Sequence, residues 1–250
     1  MKEKLANQLA LDYNCTPEEV LGSKNIISLR ESLLGRRIFR SDDSFIKICS
    51  VGGKLIISCE EPIYEWCQNT YQDMDAAWFS LFPNLKKLDD TIRTFGHTIT
   101  DCHHYYLPER KVEVRLPGLT ASEEKPTLVW YEKEDLEQFR GDKRFLNALS
   151  FISESPDMLA VTAVENGEIL GMAGASADSD LFWQIGIDVT NAGRGRGIGT
   201  YLTILLREEI LRRDKVPFYG TAETHIKSQR VGVQAGFVPA WAEIYTKEIH

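Results

Sequence analysis

A glycine-rich turn between an apolar run and a helical pattern constrains this chain more than any other stretch. Leu181-Phe182-Trp183-Gln184-Ile185-Gly186-Ile187-Asp188-Val189 reads as a buried strand, and Thr200-Tyr201-Leu202-Thr203-Ile204-Leu205-Leu206-Arg207 reads as a helix. Between them stands Arg194-Gly195-Arg196-Gly197-Ile198-Gly199. A strand that feeds a helix through so short a turn belongs to an α/β or α+β architecture, with the helix packed back on its sheet. The first N–H groups of such a helix have no intrahelical partner, and glycines leave them unobstructed by Cβ atoms. Together with the positive end of the helix dipole and two arginine charges, they make an anion site, expected to hold a phosphate.

Spacing narrows the kind of phosphate loop. A dinucleotide fingerprint needs Gly-x-Gly-x-x-Gly, whereas Gly193, Gly195, Gly197 and Gly199 strictly alternate. A Walker loop ends in Gly-Lys-Ser/Thr, which does not occur here.

The rest of the chain is that of a globular protein. It has 250 residues, 43% hydrophobic and 26% charged, enough to bury a substantial core. The net charge of −8 argues against nucleic acid as a partner. Five cysteines, Cys15, Cys49, Cys59, Cys67 and Cys102, show no paired spacing and read as reduced thiols of an intracellular protein. Met1–Asn7 lacks the apolar core of a secretory leader, and no run approaches the roughly 18 apolar residues of a membrane span. A cytoplasmic location without a membrane partner is expected.

Periodicity and punctuation mark the elements. Lys2–Tyr13 reads as a helix, and Thr16-Pro17-Glu18-Glu19 as a capping box that starts another. Phe45–Cys49 and Lys54–Cys59 form a hairpin about Gly52-Gly53. Helices are expected from Pro62 through Tyr71 and from Asn84 to Phe95, the latter stopped by Gly96, and a strand at Glu113–Leu116. The turn-rich stretch Pro117–Pro126 separates an N-terminal α+β domain (1–118) from a C-terminal domain (127–250), with 119–126 as linker. The C-terminal domain then reads as a strand (Thr127–Tyr131), helices near Asp135–Phe139 and Asp142–Phe151, and a hairpin turning at Asn166-Gly167. After the glycine turn come the helix from Ile198 to Asp214, a strand at Pro217–Ala222, a short helix Ser228–Ala235 and an extended segment Val238–Glu248.

This order, with Arg194, Gly197 and Gly199 at the strand-to-helix junction, resembles the GNAT acyltransferase superfamily. A second signature of that family is matched by His225, Ser228 and Gly236-Phe237, with His where Asn is usual and Gly232 where Tyr is usual. The resemblance covers residues 127–250 and implies a mixed sheet flanked by helices. The run Phe182–Val189, the run Ser228-Gln229-Arg230 and a separately folded first half also resemble the two-domain branch that includes zwittermicin-resistance acetyltransferases.

The resemblance implies acetyl transfer from acetyl-CoA to a primary amine of a small molecule by direct attack on the thioester. It implies that backbone N–H groups of Gly195, Arg196, Gly197, Ile198, Gly199 and Thr200 bind the pyrophosphate, with charge from Arg194 and Arg196. The strand end Ile187-Asp188-Val189 would pair with the pantetheine arm, a backbone N–H polarising the thioester carbonyl. Ser228 and Arg230 are expected to reach the cofactor, although Arg230 reads equally as a solvated helix residue. The attacking amine must lose a proton, and Glu223 and Asp188 are the candidate bases, with Asp180 third. For the proton donor, Gly232 is silent, and Tyr201, Tyr219, Tyr245 and solvent stay open. Two other readings remain: a non-catalytic acyl-CoA-binding module, motivated by Gly232, and acetylation of a protein amine. The first half is expected to cover the acceptor side or to make a subunit contact, as in a homodimer. His103-His104 beside Cys102 lies in a strand-like run where neighbouring side chains face opposite ways, so no metal site is expected.

Overall fold

The computed structural model describes residues 1–38, 44–112 and 126–249. The strand expected at Glu113–Leu116 and the linker expected at 119–126, Pro126 apart, lie outside the described residues. The chain divides into two compact units: Met1–Tyr105 with Ala240–His250, and Tyr106–Pro239.

The first unit opens with helix α1 (Lys2–Tyr13), which ends where Asn14 turns left-handed at φ 49°. Helix α2 (Pro17–Leu21) starts on the expected capping box: Thr16 Oγ1 accepts from the Glu19 amide, and the Thr16 amide donates to Glu19 Oε2. Strand β1 (Ile26–Leu29), not anticipated from the sequence, runs parallel to β3. The hairpin β2 (Ile46–Val51) and β3 (Lys54–Cys59) turns at Gly52 and Gly53, both at positive φ. Helices α3 (Glu61–Tyr71) and α4 (Phe82–Arg93) follow, and Gly96 at φ 79° releases the chain into β4 (His97–Pro108). Ile46, Ile48, Leu55 and Ile57 pack with Ile63, Cys67, Tyr71, Leu88 and Ile92 into one apolar cluster.

The second unit carries strands β5 (Thr127–Glu132), β6 (Asp157–Glu165), β7 (Glu168–Ala177) and β8 (Phe182–Val189), then helix α5 (Ile198–Arg212), β9 (Val216–Ala222) and helix α6 (Ile226–Gln234). Its sheet has the order β5-β6-β7-β8-β9, antiparallel except for the parallel β8–β9 pair. The β6–β7 hairpin turns at Asn166 (φ 51°) and Gly167 (φ 79°), the two positive φ values a type I′ turn needs. Leu202, Leu206 and Ile210 of α5 bury against Leu159, Val161, Ala173 and Ile185 on one sheet face. Leu136, Phe139, Phe145, Ala148 and Leu149 cover Ala160 and Met172 on the other.

That second layer corrects the sequence reading. The helices expected near Asp135–Phe139 and Asp142–Phe151 are 3-10 turns, Lys133–Phe139 and Lys143–Phe145. The amides that would continue the second helix are drawn onto strand carboxylates instead. Asn147 and Ala148 donate to Asp188, and Ser150 and Phe151 donate to Asp157.

Strand β10 (Phe237–Glu248) follows Gly236, a position only glycine fits. Its φ is 84°, and a Cβ there would stand 2.6 Å from the Arg110 carbonyl oxygen. The chain passes from the first unit to the second within β4 and returns within β10. Back in the first unit, β10 pairs antiparallel with β2 and brings Glu243 to Arg37.

Arg37 is buried there between two carboxylates. Its Nε donates to Asp12 Oδ2 and its Nη2 to Glu243 Oε1, each at 2.6 Å. Its guanidinium lies over the stacked rings of Tyr105 and Trp241. Tyr13 and Tyr245 both donate hydroxyls to the Glu243 carboxylate. Burial pushes the Glu243 carboxyl up, but Arg37 and the Tyr245 hydroxyl outweigh it and hold the carboxyl below the usual range. Among the described residues, no helix is long and apolar enough to cross a membrane.

Candidate active site

Strand β8 ends at Val189, and the turn to α5 is built on glycines for two separate reasons. Gly195 and Gly197 sit at φ 74° and 75°, and a Cβ at Gly195 would stand in open space. At Gly193, in contrast, a Cβ would meet the Leu170 carbonyl oxygen at 2.3 Å, so this glycine permits close packing of the turn on β7. The first i→i−4 bond joins the Tyr201 amide to the Gly197 carbonyl. The amides of Ile198, Gly199 and Thr200 therefore stand at the head of α5 without intrahelical acceptors. These are the unpaired donors on which the anion site expected from the sequence depends.

The turn's two arginines differ. Arg194 is exposed, whereas Arg196 makes a bidentate ion pair with Glu165 at the end of β6, at 3.0 and 2.7 Å. That pair holds the Glu165 carboxyl below its usual range through the Arg196 hydrogen bonds. Thr200 is buried and donates its hydroxyl to Gln234 of α6 at 3.1 Å.

The β8–β9 pairing runs from Phe182 opposite Val216 to Ile185 opposite Tyr219. Both strands continue, β8 to Val189 and β9 to Ala222. Beyond Ile185 and Tyr219 the two strands run on without pairing, as the slot expected of a splayed parallel pair requires. Tyr219 stands at its base. Its hydroxyl shares a 2.8 Å hydrogen bond with Ser228 Oγ on α6, and burial pushes it up to about 12. A Cβ at Gly232 would meet the Tyr219 ring at 3.0 Å. The space a side chain at position 232 would enter is thus occupied by the Tyr219 ring from β9. Sequence spacing placed Tyr219 among three tyrosines without choosing it; its choice depends on this cross-element contact.

The carboxylates are also distinct. Glu223, just beyond β9, is exposed, and its backbone carbonyl accepts from Gln229 Nε2. Asp188 accepts three hydrogen bonds: from the amides of Asn147 and Ala148 on Oδ2, and from Asn147 Nδ2 on Oδ1. Asp180 lies before the start of β8, at the end opposite the glycine turn. Arg230 is exposed on α6. Tyr201 is half-buried on α5.

Residues 120–237 match the acetyltransferase (GNAT) family. In fold, the chain is similar to a GCN5-related N-acetyltransferase-like protein from Streptococcus suis 89/1591, at 12% identity and a TM-score of 0.50, over 98% of this chain and 100% of that one. An acetyltransferase from the GNAT family of Colwellia psychrerythraea aligns at 14% identity and a TM-score of 0.41, over 84% of each chain. No curated protein matches the chain by sequence.

Proposed function

We propose, from the match of residues 120–237 to the acetyltransferase (GNAT) family, that the chain transfers an acetyl group from acetyl-CoA to a primary amine of a small molecule. The observation that carries the reading is the pairing of a positive-φ glycine cradle at Gly195 and Gly197 with a slot that opens past Ile185 and Tyr219. A diphosphate suits the cradle, because open backbone there presents N–H donors to an anion at a helix N-terminus. Bound acetyl-CoA supplies an activated acetyl group as a thioester, with a thiol as leaving group.

The chain's own residues divide the remaining work. Gly195 to Thr200 hold the phosphates by backbone N–H groups, and Arg194 and Arg196 add charge. Ile187, Asp188 and Val189 offer strand backbone to the pantetheine arm. One N–H of that strand end polarises the carbonyl, a contribution of about 2.7–4 kcal/mol for a single aimed donor. Glu223, exposed beyond β9, takes the amine proton directly or through water. Ser228 and Arg230 contact the cofactor from α6.

Tyr219 hydrogen-bonds the leaving sulfur without giving up its proton. Its hydroxyl is pushed up to about 12, and a thiol titrates near about 8.5. The thiolate is the weaker base of the two, so Tyr219 lends it a hydrogen bond, and the thiolate takes its proton from solvent, into which Glu223 releases the proton of the amine.

The non-catalytic alternative rests on Gly232, and the hydroxyl pair Tyr219–Ser228 beside it favours the enzyme reading. The resemblance of Phe182–Val189 and Ser228-Gln229-Arg230 to the two-domain zwittermicin-resistance branch would suit an antibiotic-like amine as acceptor. Titration with CoA, followed by thiol release from acetyl-CoA across a panel of amines and peptides, tests the proposal. Binding with turnover on a small amine is expected. Binding without turnover would leave the module, turnover on peptides alone would move the acceptor to protein, and absence of binding would end all three readings.

A further inference from the structure

Two consecutive residues, Asn147 and Ala148, lie against strands β7 and β8 closely enough that no side chain fits beneath them. A Cβ at Gly186 would stand 1.8 Å from the Asn147 carbonyl oxygen, and one at Gly174 would stand 2.0 Å from that of Ala148. The amides of the same two residues point into one carboxylate. Asn147 N–H and Ala148 N–H reach Asp188 Oδ2 at 2.7 and 3.0 Å, and Asn147 Nδ2 reaches Oδ1 at 2.7 Å. Carbonyls fit glycine gaps and amides fit an acid, so the segment is held in one register along β8.

The place of this lock connects it to the reaction. Gly186 is the first residue of β8 past the last β8–β9 pair, and Asp188 lies two further on. The locked segment therefore runs beside the slot. It keeps Ala148 and Leu149 in the core while Leu146, 65% exposed, stands outward next to the exposed Asn147. Both Asp188 carboxylate oxygens are already engaged, Oδ2 by two backbone amides and Oδ1 by the Asn147 side chain. Protonation would weaken its hold on two backbone amides, one of them on a residue that is only 4% exposed.

We infer that Asp188 is a positioning residue, which fixes the segment Asp142–Leu149 as the wall against which the amine is oriented for attack. The inference rests on the acetyltransferase reading for the word amine, and on the structure alone for the lock. It leaves Glu223 as the acid–base group and gives Asp188 an effect on the acceptor side, not on the nucleotide.

Hydrogen–deuterium exchange and kinetics on the full chain test this with Asp188→Asn and Gly186→Ala. Asp188→Asn should raise exchange at the Asn147 and Ala148 amides by roughly tenfold or more, while Ser150 and Phe151, held by Asp157, stay within about twofold. Gly186→Ala should do the same with Asp188 intact. With acetyl-CoA and whichever amine of the panel is turned over, both variants should raise the amine KM roughly fivefold or more, and leave CoA affinity within about twofold and the pH profile of kcat/KM unchanged in shape. Loss of the profile's ascending limb in Asp188→Asn alone would make Asp188 the base and overturn the inference. Unchanged exchange in both variants would do so too, as would loss of CoA affinity equal to the loss in amine KM. Should no amine be turned over by the parent protein, the proposed reaction fails, and the exchange data by themselves decide whether the lock exists.

Discussion

Arg196 of the glycine turn donates through both terminal nitrogens to the Glu165 carboxylate, at 3.0 and 2.7 Å. The pair fixes the guanidinium beside the cradle and neutralises part of its charge before any phosphate arrives. Glu165→Gln should therefore tighten CoA binding by about two- to fivefold at low ionic strength, with the gain fading as salt screens the released charge. Arg196→Ala should weaken binding by roughly tenfold. Calorimetric titration at two salt concentrations checks both signs.

Gly197 lies at φ 75° and opens α5. Gly197→Ala places a side chain at positive φ, a backbone strain of about 1–2 kcal/mol. If the turn relaxes to avoid that strain, the row of amides is lost. A several-fold rise in the CoA dissociation constant is expected, with a melting temperature lowered by a few degrees.

Tyr219→Phe removes the hydroxyl that Ser228 shares and keeps the ring against Gly232. A fall in kcat of roughly tenfold or more is expected, with CoA affinity unchanged, because the contact is made only as the sulfur gains charge. An equal loss in CoA affinity would reassign Tyr219 to packing.

Arg37 separates two buried carboxylates, Asp12 and Glu243. Arg37→Met keeps the volume and strands both charges, so a destabilisation of about 3–5 kcal/mol is expected. Combining it with Asp12→Asn and Glu243→Gln should recover part of the loss. Chemical denaturation of the single and triple variants measures the difference.

Glu209 on α5 accepts from Arg212 and from Arg213, and these hydrogen bonds, Arg212 first, pull its carboxyl down to about 2. A carboxyl lower in the folded chain than in the unfolded one binds its proton more weakly when folded. Its stabilisation is present above the ordinary value of 4.5 and is lost as pH falls towards about 2. Glu209→Gln should lower the melting temperature at pH 7 slightly, flatten the profile between about pH 4.5 and 2, and change little at its acid end. The site is largely solvent-facing, so the effect should also shrink in salt.

Local rules carried much of this structure into the sequence. The capping box at Thr16, the paired glycines at Gly52-Gly53 and the Asn166-Gly167 turn each depend on conformations that a few neighbouring residues dictate. The cradle is legible for the same reason, since positive φ at Gly195 and Gly197 is a demand on single residues. What the sequence hides are agreements between distant residues. Asp188 meets Asn147 across 41 positions, and that meeting turns an expected helix into a 3-10 turn with a bound extension. Tyr219 fills the space at Gly232 from another element, and no spacing rule announces it. Strand β4, with histidines and tyrosines in place of a clean alternation, lacks the period by which strands are recognised.

Glu243 reaches Arg37 from 206 positions away, on the last strand. A ribosome therefore releases Asp12 and Arg37 long before the second acid that Arg37 meets. The second unit, by contrast, is one continuous stretch of chain, Tyr106–Pro239, and has all its parts in hand when β10 emerges. The first unit to begin is thus the last to be completed. Until Glu243 arrives, the Arg37 Nη2 donor has no carboxylate to meet, and a guanidinium with an unmet donor favours water over burial.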